Sequence, residues 1–159
     1  EPLDVDVYFV LSVQEETNLA GAGCAAYGTE PDAALVIDVT HAKTPDNADC
    51  PFDVGGGVAY SLGPNVHAPF AHLLKELAEE HGVGAKAEVD GGSTGTNAWA
   101  VQVSRTGVPA AVLSLPLKYM HTPTEVAAIG DIEAAGTLAA AFVRRLSAAP
   151  AMLNPEEIR

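Results

Sequence analysis

Three β-branched, apolar runs recur along this chain, and helix-patterned segments separate them. They are residues 5–13 (VDVYFVLSV), 34–39 (ALVIDV) and 108–115 (VPAAVLSL). Each is apolar on both faces, as a strand sandwiched between two helical layers must be. Between them, 21–28 is short, Ala-rich and stopped by Gly28 and Pro31, which predicts a brief helix. Residues 69–81 carry Phe70, Leu73, Leu74, Leu77 and Ala78 at helical spacing, with Gly82 as the stop. Residues 129–146 read as a long amphipathic helix. Weaker strands are expected at 54–60, where three glycines intrude, and at 85–89. Strand and helix alternating in this way specify a three-layer α/β/α sandwich around a mixed, mostly parallel sheet. The runs at 5–13 and 34–39 are expected to be neighbouring interior strands.

At 159 residues the chain has room for one core, so residues 1–147 are assigned to a single domain and 148–159 to a loosely packed tail. Net charge is −13 with eight Lys and Arg, which argues against a nucleic-acid backbone or an anionic membrane as partner. No run approaches the roughly 20 apolar residues of a membrane span. Cys24 and Cys50 lack metal or redox spacing and read as free thiols in a reducing, cytoplasmic setting. Glu1-Pro-Leu-Asp has neither the character of a signal peptide nor an initiating Met, so the natural start is expected upstream.

Open α/β sheets bind ligands beyond the carboxyl ends of their strands. Residues 5–13 are followed by Glu15 and Glu16, 34–39 carry Asp38, and 108–115 lead into a loop bearing His121. Singly, each is a weak sign: a Glu-Glu pair is usually a solvated turn, and a His beside Pro is usually a packed or exposed residue. Together they form an oxygen-rich set with one imidazole, suited to zinc, cobalt or manganese. Two adjacent carboxylates at a strand end repel unless a cation sits between them. His41 follows Asp38 closely enough to reach the same edge.

These segments resemble the glutamyl/leucyl aminopeptidase family of dinuclear metallopeptidases, the group that includes the tetrahedral aminopeptidases and the Frv operon proteins. The resemblance rests on "VYFVLSVQEETNLAGAGCAAYG", "ALVIDVTHA", "LGPNVHAPF" and "GGSTGTNAWAVQVSRTGVPAAVLSLPLKYMHTPTEV", in family order. It implies hydrolysis of N-terminal residues from peptides by a water activated between two divalent ions, zinc foremost. By position, it implies Glu15 as general base, Glu16 and His121 as ligands of one metal, and Asp38 as a ligand of the other. The Gly95-Thr96-Asn97 loop matches a substrate-binding wall, although the family usually has G-T-D-A there. It also implies peptide substrates and a homo-oligomer in the full-length protein.

The family further requires an H-x-D histidine and a bridging Asp upstream of Q-E-E, whereas the first His here is His41. The fold is thus expected to be incomplete on its N-terminal side, the C-terminal part of a catalytic domain, and inactive by itself. Two rival readings remain. One is a non-catalytic assembly or interaction module. The other is a dinucleotide-binding domain built on Gly21 to Ala26 (GAGCAA), with Asp38 downstream. Against it, seven residues separate that motif from Val13, and both glutamates would repel a pyrophosphate. The glycine loop at 90–97 has no following G-K-[ST] to cradle phosphate.

Overall fold

The computed structural model describes residues 2–153. The elements run α1 (Glu15–Asn18), α2 (Ala20–Thr29), β1 (Ala34–His41), β2 (Val58–Leu62), α3 (Ala68–His81), β3 (Ala85–Val89), α4 (Ala98–Val101), β4 (Ala110–Leu117) and α5 (Ile129–Ala148). A 3₁₀ turn, Pro150–Leu153, follows. None of the described helices is long and apolar enough to cross a membrane.

The four strands lie in the order β1-β4-β2-β3. β1 pairs β4 in parallel, with Asp38 opposite Ser114, and β2 pairs β3 in parallel, with Ser61 opposite Glu88. β2 and β4 meet antiparallel at Ala59–Ser114 and Tyr60–Leu113. Alternate strand residues face opposite ways, and that sorts the core into two halves. Ala111 and Leu113 pack with Val58, Tyr60 and the apolar faces of α3 and α5, where the Phe70 and Phe142 rings meet edge to face. Ala110 and Val112 point to the other side, under Ala98 of α4 with Ala34 and Val36. Ala22 and Ala26 of α2 pack there against Val101 and Val108. Helices on both faces of a mixed, mostly parallel sheet make the α/β/α sandwich that the alternation predicts.

Capping and backbone approach explain the element ends. α3 stops at Gly82, which takes φ 64° and returns its N–H to the carbonyls of Ala78 and Glu79. Gly57, at φ 97°, lies so close to the Gly84 carbonyl that a Cβ would collide with it. This is where β2 and β3 begin, and only glycine lets the two backbones meet. Asp131, in the first turn of α5 and 2% exposed, accepts hydrogen bonds from Gly55 N–H (2.7 Å) and Gly57 N–H (2.9 Å). It ties that loop to the helix.

Residues 5–13 are a correction. They are extended but belong to no strand, and Phe9 is 94% and Leu11 99% exposed. Two-sided apolarity marks a segment that needs covering on both faces, and among the described residues nothing covers this one. It is held instead at its ends, where Asp4 N–H donates to Ser147 Oγ at 2.7 Å and Gly21 N–H donates to the Val13 carbonyl at 3.2 Å. β1 is correspondingly the edge of the sheet rather than its interior, with Ile37 half exposed. Other boundaries shift less. β1 runs two residues past Val39, and the expected strand at 54–60 is realised as Val58–Leu62. Met152 and Leu153 of the expected loose tail lie against the main core, and residues 154–159 lie outside the described ones. Both cysteines are free.

Candidate metallopeptidase site

Glu15 and Glu16 open α1 directly after Gln14, whose left-handed backbone (φ 62°) turns the chain sharply out of the extended run. Asp38 stands on β1, on the α2/α4 side with Ala34 and Val36, and its Oδ1 accepts the Val39 N–H at 2.8 Å. His121 sits on the loop after β4. That loop is closed by the Lys118–Val126 backbone bridge and by His121 N–H donating to Glu125 Oε1 at 2.7 Å. Both Tyr119 and His121 take left-handed backbone angles. The result brings His121 Nε2 to 3.1 Å from Glu16 Oε2.

Glu16 and His121 thus meet, and Glu15 and Asp38 lie near enough for the charges of this group to act on them. Burial raises the Glu15 carboxyl above its ordinary range, and the negative charges of Asp38 and Glu16 raise it further against the pull of His121. Asp38 is raised by burial first and by Glu16 as well, with the Val39 N–H opposing. The Glu16–His121 contact is largely exposed on both sides. Exposed pairs of this kind contribute only about 0–1 kcal/mol, so stability is a poor reason for holding it. Among the described residues, no three His, Cys, Asp or Glu side chains come close enough together to hold an ion.

The glycine loop joins the same place. Glu15, Glu16, Thr17, Asn18 and Leu19 line an open cleft of about 400 Å³ with Gly95 and Trp99 on its other wall. Gly95 takes φ 68° and its N–H donates to Ser93 Oγ. Thr96 is buried, and its Oγ1 accepts the Ala98 N–H, so Thr96 rather than Asn97 finishes the helix end by side chain. Asn97 Nδ2 donates to Ser12 Oγ at 3.1 Å, fastening the loop to the extended run. GAGCAA falls inside α2 instead of at a strand-to-helix turn, which removes the structural context a dinucleotide motif needs.

Sequence reasoning passed over three neighbours. Trp99 follows the glycine loop and forms a cleft wall. Glu88, on β3, reaches across the small residues of β2: the hydroxyls of Thr40 and Ser114 hydrogen-bond its carboxylate, and His41 lies near enough to influence it. Burial is the main cause of its raised pKa, and Asp90 adds to it. Asp90 is likewise raised by burial, with Ser61 hydrogen-bonding it. The available signal was a charged residue on the polar side of a strand leading straight into the glycine loop. The His41 carbonyl accepts the Cys50 thiol.

The sequence pattern of the M42 glutamyl aminopeptidase family matches residues 1–138. Lysyl aminopeptidase of Pyrococcus furiosus is 35% identical over 144 residues, covering 90% of this chain and 42% of that protein. The structure of aminopeptidase APDkam598 from the archaeon Desulfurococcus kamchatkensis superposes with a TM-score of 0.82 at 36% identity, covering 91% of this chain and 43% of that one. The TET1 peptidase of Pyrococcus horikoshii, which can assemble into a tetrahedron or a large octahedral shell, superposes with a TM-score of 0.65 at 26% identity. That match covers 84% of this chain and 39% of the other. The chain therefore spans about two-fifths of the length of these relatives.

Proposed function

The chain belongs to the M42 glutamyl aminopeptidase family, and from that premise we propose that it carries the general base and part of the metal-binding set of a metal-dependent aminopeptidase. One observation supports the reading: the Glu16–His121 contact, with the Glu15 and Asp38 carboxyls near enough to be influenced by it.

The donor set fits an ion at one position. Two ligands of a tetrahedral zinc, each about 2.0–2.1 Å from the metal, stand about 3.3 Å apart. His121 Nε2 and Glu16 Oε2 are 3.1 Å apart, an imidazole with a carboxylate. These two would hold one ion, and Asp38 would contribute to a second. Bound divalent ions supply Lewis acidity and lower the pKa of a coordinated water. The chain's own residues do the remainder. Glu15, whose proton affinity is already lifted by its surroundings, accepts the proton of the attacking water and returns it to the leaving amine nitrogen. Glu125 holds the His121 backbone, and the Gly95–Asn97 loop walls the cleft in which the first residue of a peptide sits.

No three His, Cys, Asp or Glu side chains among the described residues, Asp38 included, gather closely enough to hold an ion. We therefore expect these 159 residues by themselves to hold at most one ion, substoichiometrically, and to release no amino acid from aminoacyl anilides. Elemental analysis together with lysyl-, leucyl- and glutamyl-anilide assays tests this. Two tightly bound ions or steady turnover would show that other residues complete the site. An interaction role is favoured by one observation, the exposed apolar run containing Phe9 and Leu11. Burial of that run in a homo-oligomer of the full-length peptidase is the form of it that we propose.

A further inference from the structure

We propose that Glu88 is a positioning residue of the metal-binding edge: it takes the hydroxyls of Thr40 and Ser114 and so keeps them off Asp38, leaving that carboxylate open to an ion. This rests on reading Asp38 as a metal ligand.

Alternation puts Asp38, Thr40 and Ser114 on one face of the sheet, the α2/α4 side that also holds Val36 and Val112. Ser114 is the cross-strand partner of Asp38, and Thr40 lies two residues further along β1. Paired strands run about 4.8 Å apart, so both hydroxyls stand within side-chain reach of the Asp38 carboxylate. Both are buried, Ser114 to 2% exposure and Thr40 to 6%. A buried hydroxyl needs a partner, and a carboxylate is the strongest acceptor a protein offers. Yet the Val39 N–H is the one hydrogen bond that Asp38 accepts among the described residues. The two hydroxyls bond Glu88 instead.

Glu88 comes from the far side of the sheet to do this. β3 is separated from β4 by β2, and the carboxyl makes no ion pair among the described residues. Lys86, on the same face of β3, gives its ammonium to the Pro51 carbonyl at 2.7 Å. Asp90 repels the Glu88 charge and His41 attracts it, but burial outweighs both and raises its pKa. The fold therefore holds this carboxyl where it is at a cost to stability. The gain lies at Asp38. An ion and a hydrogen-bond donor compete for the same carboxylate lone pairs, so a carboxylate already occupied by two hydroxyls is a poorer ligand. Removing the neighbours that orient a ligand changes metal affinity about 10–100-fold.

Cobalt(II) added to the metal-free, full-length protein reads the site by its visible absorption, with no turnover required. Glu88→Met removes both acceptor oxygens at nearly the same length, and should weaken the less tightly held cobalt ion about tenfold. Adding Thr40→Val and Ser114→Ala to Glu88→Met should return the affinity to within about twofold of the parent, because no hydroxyl is left to turn on Asp38. A purely structural role for Glu88 demands the reverse, since each further deletion would loosen the strand ends. Glu88→Gln keeps one acceptor oxygen and should bind about threefold more weakly than the parent, again corrected by the two hydroxyl deletions. It carries the test if Glu88→Met does not fold. In the 159-residue chain, with circular dichroism as the check on folding, the carbon-13 resonance of the Asp38 carboxylate at neutral pH should move in the Glu88 variants and return in the triple variants. An unmoved Asp38 resonance, or a triple variant that binds cobalt no better than its Glu88 variant, would overturn the proposal. A moved resonance with cobalt binding unaltered throughout would take Asp38 out of the ligand set and the proposal with it. Cobalt binding that follows the expected pattern in a protein that hydrolyses no aminoacyl anilide would leave the proposal standing and remove the peptidase reading.

Discussion

Replacing Asp131 by Ala should be among the costliest single changes in the chain. The carboxylate is 2% exposed, and each oxygen receives one backbone N–H, from Gly55 at 2.7 Å and from Gly57 at 2.9 Å. Hydrogen bonds to a charged group contribute about 1.5–3 kcal/mol each, and a buried donor left without a partner loses a comparable amount. Two bonds set an upper range of about 3–6 kcal/mol. Gly55 is exposed, so water can take over its N–H, which places the expected cost near the lower end, about 3 kcal/mol. For a domain of this size that is a fall in Tm of roughly 6–12 °C. Asp131→Asn keeps one acceptor and turns an NH2 toward the other N–H, so it should lie between the parent and Ala. Urea and thermal unfolding of the three proteins measure this. A loss below about 1 kcal/mol for Ala, with Asn indistinguishable from the parent, would mean that the loop at 53–57 docks on α5 by shape alone and that the bonds are incidental.

Gly57→Ala should disrupt the start of β2 and β3, because the new Cβ meets the Gly84 carbonyl and the backbone angle there disfavours any side chain; soluble expression with a parental Tm would refute it. In the metal-loaded, full-length enzyme, Glu15→Gln should retain its ions and lose kcat by a factor on the order of 10² or more. Glu16→Gln or His121→Ala should instead lower the metal content; elemental analysis beside kcat separates the two roles, and the opposite pattern would reverse them. Glu88 gives a pH test. Burial raises its pKa above the ordinary 4.5, so the folded chain holds that proton to higher pH than the unfolded chain does. Its contribution therefore stabilises at low pH and is lost as pH rises from about 4.5 through the folded value. Glu88→Gln should flatten that part of the Tm–pH curve, and parallel curves for the two proteins would show that the carboxyl is not desolvated.

The sheet and its helices were legible because each rests on local periodicity. α3 follows from five apolar residues at helical spacing and a glycine that can take φ 64°, and β4 from a run apolar on both faces that feeds both layers. For Asp38 and His121 the reason is topological, since the parallel strands β1 and β4 deliver their ends to one edge, whereas Glu15 and Glu16 approach it from α1, after a run that forms no strand. What failed was any inference from apolarity to partners. Residues 5–13 have the composition of an interior strand, yet composition states only that a segment needs covering, and pairing depends on which other strand lies beside it. The same limit hid Glu88. Its bonds to Thr40 and Ser114 join three strands that are far apart in sequence, and they exist because Ala59 and Ser61 are small enough to let the side chain pass across β2. Trp99 was missed in a related way: a lone aromatic on a four-residue helix has no periodic context, and its place in the cleft wall follows only from the fold. Strand ends can be read along the chain, whereas a wall facing them is set by register across it.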